Sequence, residues 1–342
     1  MKTRLAAIFA FACAVVISAM QVKAQSDAPV KVTPETFIRA ETDARFAGII
    51  KRAGGVNRPS YFRVPTPLDA QIVMRMNRDT IYTMYCVDTS KGATITVPEL
   101  PKDRLVSIFP IDNDHYSPGL ISTTAGTHKI PGDTKYMVIG VRLQLFNPKD
   151  PAELAMLQKL QDQFVIQANS ADPMPAFKWD LPSLKALEAQ YEKEFVSYTS
   201  SAGMMGLRGK VDEKVRSVGA ATMWGLNTDK DALYLNYNGG HDYNVGYKAT
   251  YKVPENKAFW SITVYGKDGF MKTENCILNS STVKLNPDGK TFTAYFGSKE
   301  QCGDVPNRLD APEGWNFLMR VYNPGPSVLD GSYKLAKAEP VK

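Results

Sequence analysis

AFWSITVYGKDGF, residues 258–270, reads as a β-strand running into a tight turn. Aromatic and β-branched side chains fill 259–265, and Lys267-Asp268-Gly269 supplies turn chemistry at the end. The same grammar recurs around it. Residues 232–237, 247–253, 291–296 and 316–322 are rich in the same residue types, with Asn238-Gly239-Gly240 and Pro287-Asp288-Gly289 in the gaps. Connections this short join antiparallel neighbours, so the spacing predicts a jelly roll or related β-sandwich rather than a doubly wound sheet.

A second series of strands precedes it, at 80–87, 93–97, 105–109 and 136–145, punctuated by Gly and Pro. Between the two series the period becomes helical. Asp150-Pro151-Ala152-Glu153 offers an N-cap, a proline at the first helical position and a glutamate at N3, the pattern of a capping box. Leu154, Leu157, Leu160 and Phe164 follow at helical spacing. Further helices are expected over 182–198, on Leu184, Leu187, Tyr191 and Phe195, over 213–226, and over 33–52 ahead of the first strands. The predicted fold is mainly β: two jelly-roll-like antiparallel β-sandwich domains with a few connecting α-helices. The expected divisions are a signal peptide at 1–24, an N-terminal helix and lead-in at 25–70, a first β domain at 71–149, a helical connector at 150–228 and a C-terminal β-sandwich domain at 229–342.

Lys2 and Arg4, the apolar run 5–19 and Val22-Lys23-Ala24 form the charged, apolar and small-residue regions of a signal peptide. A run of about fifteen apolar residues is short of the roughly twenty that span a bilayer. The expectation is therefore a periplasmic or secreted protein with no transmembrane anchor in its mature form. The formal charge of +6 includes Lys2, Arg4 and Lys23, so the mature chain is near +3, too weak a field to suggest a nucleic-acid partner. Cys13 leaves with the leader. Of the three that remain, Cys276 and Cys302 share the C-terminal half and are expected to form a disulfide, with Cys86 a buried small hydrophobe.

Several motifs carry a family resemblance. Asn77-Arg78-Asp79-Thr80-x-Tyr82, Val87-Asp88 and Asp112-x-Asp114-His115-Tyr116 resemble the N-terminal half of exported proteins catalogued as domain of unknown function 1254. Residues 259–265 with Gly269 and Asn275, then 286–289 and 320–324, resemble its usual C-terminal companion, domain of unknown function 1214. The resemblance spans nearly all of the mature chain and implies two β-rich, jelly-roll-like domains with helices between them. It brings no established general activity. Where many relatives carry Trp-Leu-Pro-Ala-Pro, this chain has Arg308-Leu309-Asp310-Ala311-Pro312 and supplies its tryptophan at Trp315.

The candidate chemistry lies in three polar clusters. Asp112, Asp114 and His115 are the catalytic candidates, since a carboxylate beside an imidazole can activate water, and Asp-x-Asp admits a divalent metal ion. Asn77, Arg78, Tyr82, Tyr116, His241 and Trp260 are candidate ligand contacts; an arginine fork suits a carboxylate, and tyrosines and tryptophan suit a stacked ligand. Each has a plainer reading as turn capping or core. With only His115, His128 and His241 in the chain and no Cys-x-x-Cys, zinc has little to bind. No metal site and no cofactor are predicted, and no Gly-x-Ser-x-Gly marks a serine hydrolase. Three functions follow: binding of a small or saccharide-like ligand in a cleft between or within the β domains; hydrolysis of an ester, amide or glycosidic bond through Asp112, Asp114 and His115; or a structural role, homo-oligomers included.

Overall fold

Alternating apolar residues set the strands, and their register decides which side chains share a layer. The computed structural model describes residues 28–148, 150–239 and 241–342. The expected signal peptide therefore lies outside the described residues. In chain order the first elements are α1 (Phe37–Ala53), β1 (Pro59–Phe62), β2 (Thr80–Asp88), β3 (Ala93–Val97), β4 (Val106–Asp112), β5 (Gly126–Lys129) and β6 (Tyr136–Gln144). Next come α2 (Pro151–Gln161), β7 (Val165–Ala168), α3 (Leu181–Phe195) and α4 (Glu213–Thr222). The C-terminal part holds β8 (Ala232–Asn238), β9 (Tyr247–Lys252), β10 (Trp260–Tyr265), β11 (Ile277–Asn279), β12 (Thr291–Phe296), α5 (Lys299–Cys302), β13 (Arg308–Leu309), β14 (Asn316–Tyr322), α6 (Pro326–Leu329) and β15 (Glu339–Pro340).

The protein is mainly β, and its strands form four sheets ordered β1-β2-β6-β4, β5-β3-β7, β11-β10-β14-β8 and β13-β12-β9-β15. All named pairs are antiparallel except β12 with β13. The first two sheets close over Ile81, Tyr85, Ile95, Ile139 and Val141, with Leu157 and Leu160 of α2 sealing the layer. The last two close over an aromatic core in which Trp260 stacks on Phe292 at 4.5 Å and Phe296 on Phe317 at 5.3 Å. β6, β10 and β14 are buried along their whole length. Alternation predicts one wet face for such strands; here the second face of each central sheet is covered too, by α1 and by the opposite sandwich.

Two local expectations need correction. Asp150 caps α2 by accepting from the Ala152 amide at 2.8 Å, but Glu153 does not return to the cap. Its carboxylate accepts from the Phe146 and Asn147 amides at 2.9 and 2.8 Å and pairs with Arg104 at 2.7 Å, so it ties the end of the β6 segment to the helix instead. The expected Cys276–Cys302 disulfide is not formed: Cys86, Cys276 and Cys302 are all buried free thiols. Cys276 enters β11 beside Arg78, whereas the Cys302 sulfur fills the space over Gly246 and Gly297. Cys276 precedes β11 and Cys302 ends α5, so the two thiols sit in different surroundings, and a disulfide requires side chains aimed at one another. Cys86 is a fully buried strand residue, as expected.

Candidate functional site

Asn77-Arg78-Asp79 leads into β2 and meets the polar face of the C-terminal sheet. Asn77 donates from Nδ2 to the Tyr322 hydroxyl at 2.8 Å and accepts from the Asp79 amide at 2.7 Å. Asp79 accepts from Asn279 at 2.9 Å; burial raises its pKa against the pull of Ser261, Asn279 and Arg320. Arg320 completes the joint, donating to the Thr263 hydroxyl at 2.9 Å, the Tyr265 hydroxyl at 2.6 Å and the Arg75 carbonyl at 2.6 Å. Arg78 turns the other way and pairs with Glu274 at 2.7 Å. This motif fastens one sandwich to the other.

Asp112 to Tyr116 form a turn at the end of β4 in which both aspartates and the tyrosine hydroxyl are already committed. Asp112 accepts from the Asp114 and Tyr116 amides at 2.9 and 2.8 Å, and both carboxylates pair with Arg208 at 2.8 Å. Arg39 holds Asp114 from α1 at 2.7 Å, and Arg208 and Arg216 stack on the Tyr116 ring at 4.3 and 3.8 Å. The Tyr116 hydroxyl donates to Glu213 at 2.6 Å. Burial raises the Asp112 pKa despite these donors; for Asp114, hydrogen bonds from Arg208 and Arg39 outweigh burial and lower it. His115 sits at φ +59° with its ring fully buried against Trp224. Its Nε2 accepts from the Gly225 amide at 3.3 Å, which puts the proton on Nδ1, and burial followed by the nearby Arg216 charge lowers its pKa to about 3. A neutral, enclosed imidazole and two guanidinium-bound carboxylates make a structural clamp between β4, α1 and α4. Among the described residues no cluster of His, Cys, Asp or Glu is placed to hold a metal ion.

The open space lies elsewhere. A cavity of 310 Å³ runs between α1, the 72–77 segment, one face of β2, β6 and β4, the 223–226 turn, and β8 with β14. Register builds its floor: Arg142 stands opposite Tyr82 on β2 and Ser107 on β4, and Gly140 opposite Met84 and Phe109. A Cβ on Gly140 would come within 2.1 Å of the Phe109 ring, so the glycine makes room for that ring under Arg142. Tyr234, Leu318, Arg320 and Tyr322 form the facing wall, and Met74, Met76, Met84, Met223 and Ile72 line the rest. Gly48 of α1 lines it too, and a Cβ there would meet nothing within 4 Å.

Of the expected ligand contacts, Asn77 and Tyr82 line this cavity. Trp260 belongs to the C-terminal core and Tyr116 to the clamp. His241 bonds the Tyr237 hydroxyl at 2.9 Å and stacks on Tyr247 at 4.4 Å; burial and then Lys337 lower its pKa. Gly239 approaches the Trp315 carbonyl, 2.5 Å from where its Cβ would be, rather than a ligand. Tyr234, one of the strand tyrosines suited to a stacked ligand, lines the cavity as well, whereas Arg142, Arg320 and Tyr322 were missed as ligand contacts. The two arginines had a signal: each is the lone charge in an otherwise uncharged strand, YMVIGVRLQ and NFLMRVY.

Residues 222–326 match the family model described as Protein of unknown function (DUF1214), which takes in Tyr234, Arg320 and Tyr322 but not Arg142. The chain is similar in fold to the crystal structure of the VPA0106 protein from Vibrio parahaemolyticus, with a TM-score of 0.65 and 17% identity over 90% of this chain and 98% of that one. It is also similar to a putative uncharacterized protein from Burkholderia cenocepacia, with a TM-score of 0.50 and 13% identity over 93% and 92% of the two chains. No curated protein matches the chain. At these identities the likeness is one of fold, and it extends across both sandwiches.

Proposed function

We propose that this protein binds a small molecule in the cavity between its two sandwiches. The observation that carries the proposal is the 310 Å³ space itself, where apolar side chains surround a few converging polar groups, the usual make-up of a ligand pocket. Protein interiors otherwise leave few voids larger than a water molecule. The methionine-rich wall favours a ligand with an apolar body over a saccharide, because methionines adapt to apolar shapes and offer no strong hydrogen bonds to sugar hydroxyls. Hydrolysis through Asp112, Asp114 and His115 draws no support from the geometry, since the imidazole is enclosed and both carboxylates are held by Arg208. No helix among the described residues is long and apolar enough to cross a membrane.

Export and kinship at the N-terminal half belong to the same proposal. The pattern of residues 1–24 supports cleavage after Ala24, and the 77–82 and 112–116 motifs support an N-terminal domain of the 1254 type. N-terminal sequencing of protein from the exported fraction is expected to begin at Gln25; a chain retaining Met1 would contradict export. The binding proposal is tested by thermal shift, because a ligand that binds only the folded state raises the melting temperature. Amphipathic probes are expected to stabilise the wild type and to have no effect on Gly48→Phe, whose ring would occupy the cavity mouth. Equal shifts in both proteins would contradict the cavity as the site.

A further inference from the structure

Five arginines line the cavity: Arg45 pairs with Glu41, Arg52 is exposed, and the other three are of two kinds. Arg320 spends its donors on Thr263, Tyr265 and the Arg75 carbonyl, and Arg75 pairs with Glu192 at 2.7 Å. Arg142 has no carboxylate or carbonyl partner among the described residues, and its hydrogen-bonding neighbour is the Tyr82 side chain. It is 4% exposed, its Nε and Nη1 find no acceptor, and no carboxylate pairs with it among the described residues. Aromatic rings surround it instead, Phe109 at 4.6 Å, Tyr82 at 5.4 Å and Tyr322 at 5.9 Å. Buried charges are ordinarily paired or fully hydrogen-bonded, and aromatic faces replace only part of what water supplies. A protein with no use for a cation at this depth would do better with methionine.

We propose that Arg142 is the anion anchor of the cavity and that the ligand is a monocarboxylate with an apolar body, an inference that rests on the cavity being a binding site. The guanidinium fork matches the two oxygens of a carboxylate. The Tyr82, Tyr234 and Tyr322 side chains lie within electrostatic reach of it. Tyr322 accepts from Asn77 at 2.8 Å, and its own proton has no acceptor among the described residues, so it can donate to the same carboxylate. One buried guanidinium without a carboxylate suits one negative charge: Arg320 and Arg75 have committed their donors, and Arg52, which also lines the cavity, is exposed and lies over the Phe62 ring at 4.9 Å. The lining also holds the apolar Met84, Met223 and Leu318, and Ile72, 42% exposed, marks the rim. With Arg142 4% exposed and Ile72 42% exposed, an acid group on Arg142 enters first and the apolar body lies toward the mouth.

The test is isothermal titration of the full-length mature chain with octanoate and with 1-octanol, which share a tail and differ in the head. Octanoate is expected to bind the wild type about 10- to 100-fold more tightly, the range for hydrogen bonds to a charged group. Arg142→Met is expected to remove that preference. Equal affinity for both probes in the wild type, with both lost in Gly48→Phe, would overturn the anchor while leaving the cavity as a binding site. Octyl phosphate binding more tightly than octanoate would overturn the carboxylate. Binding of neither probe would overturn the anchor and, if no other amphipath distinguishes wild type from Gly48→Phe, the cavity reading with it. The wild-type comparison needs no variant, so poor folding of Arg142→Met leaves the test intact.

Discussion

His115 is neutral in the folded protein with a pKa near 3, whereas an unfolded chain gives histidine a value of about 6.5. Between those limits the unfolded state binds the extra proton, so this residue's contribution is complete above pH 6.5 and is lost as pH falls toward 3. Each unit of that difference is worth about 1.4 kcal/mol, which makes the acid loss several kcal/mol. Glu41 runs the other way: burial, resisted by Arg45 and reinforced by Glu188, raises its pKa to about 7, so its ionisation destabilises the fold as pH rises from 4.5 toward 7. Urea unfolding of the wild type and of His115→Asn, which tolerates a positive φ, isolates the histidine. The variant is expected to be less stable at pH 7 and flatter between pH 6.5 and 4; parallel profiles would contradict a neutral buried ring. The enclosure of His115 was not legible in Asp-Asn-Asp-His-Tyr, because the residues that enclose it, Trp224 and Arg216, come from about a hundred positions away. Arg142 was legible as a lone charge in an apolar strand, yet only the fold shows that no carboxylate among the described residues pairs with it.

At the scale of elements, β6 does the most to shape the cavity. Gly140 admits the Phe109 ring, and Phe109 carries Arg142, so Gly140→Ala is expected to push the ring aside and destabilise the protein by about 1–3 kcal/mol, the usual cost of overpacking. A urea midpoint equal to wild type would contradict that packing. Strands bracketed by strong turn chemistry were readable to the residue: 291–296 after Pro287-Asp288-Gly289 and 316–322 after Gly314 are the bounds of β12 and β14. The short strands β1, β5, β7, β11, β13 and β15 were not, being two to four residues long and too brief to show a period. β7 falls within the expected helical connector, but it pairs with β3 and so joins the first sandwich.

Across the whole molecule, the polar joint between the sandwiches holds the cavity walls in place. Asn77→Ala would strand the Tyr322 hydroxyl and the Asp79 amide, and the loss is expected to be about 1–3 kcal/mol, the cost of unsatisfied buried groups. Chemical denaturation checks the magnitude, and a neutral substitution would show that the joint contributes little. The Asn77-Arg78-Asp79 motif stood out in the sequence for residue types suited to a ligand; most of its bonds go to the other sandwich, and only Asn77 also lines the cavity. The most direct check on the account is a crystal structure of the protein with 8-bromooctanoate, located by the anomalous signal of bromine. The carboxylate is expected against Arg142 and the bromine among the apolar side chains toward Ile72. Bromine bound only outside the cavity, or the reverse orientation with the carboxylate at the mouth, would contradict it.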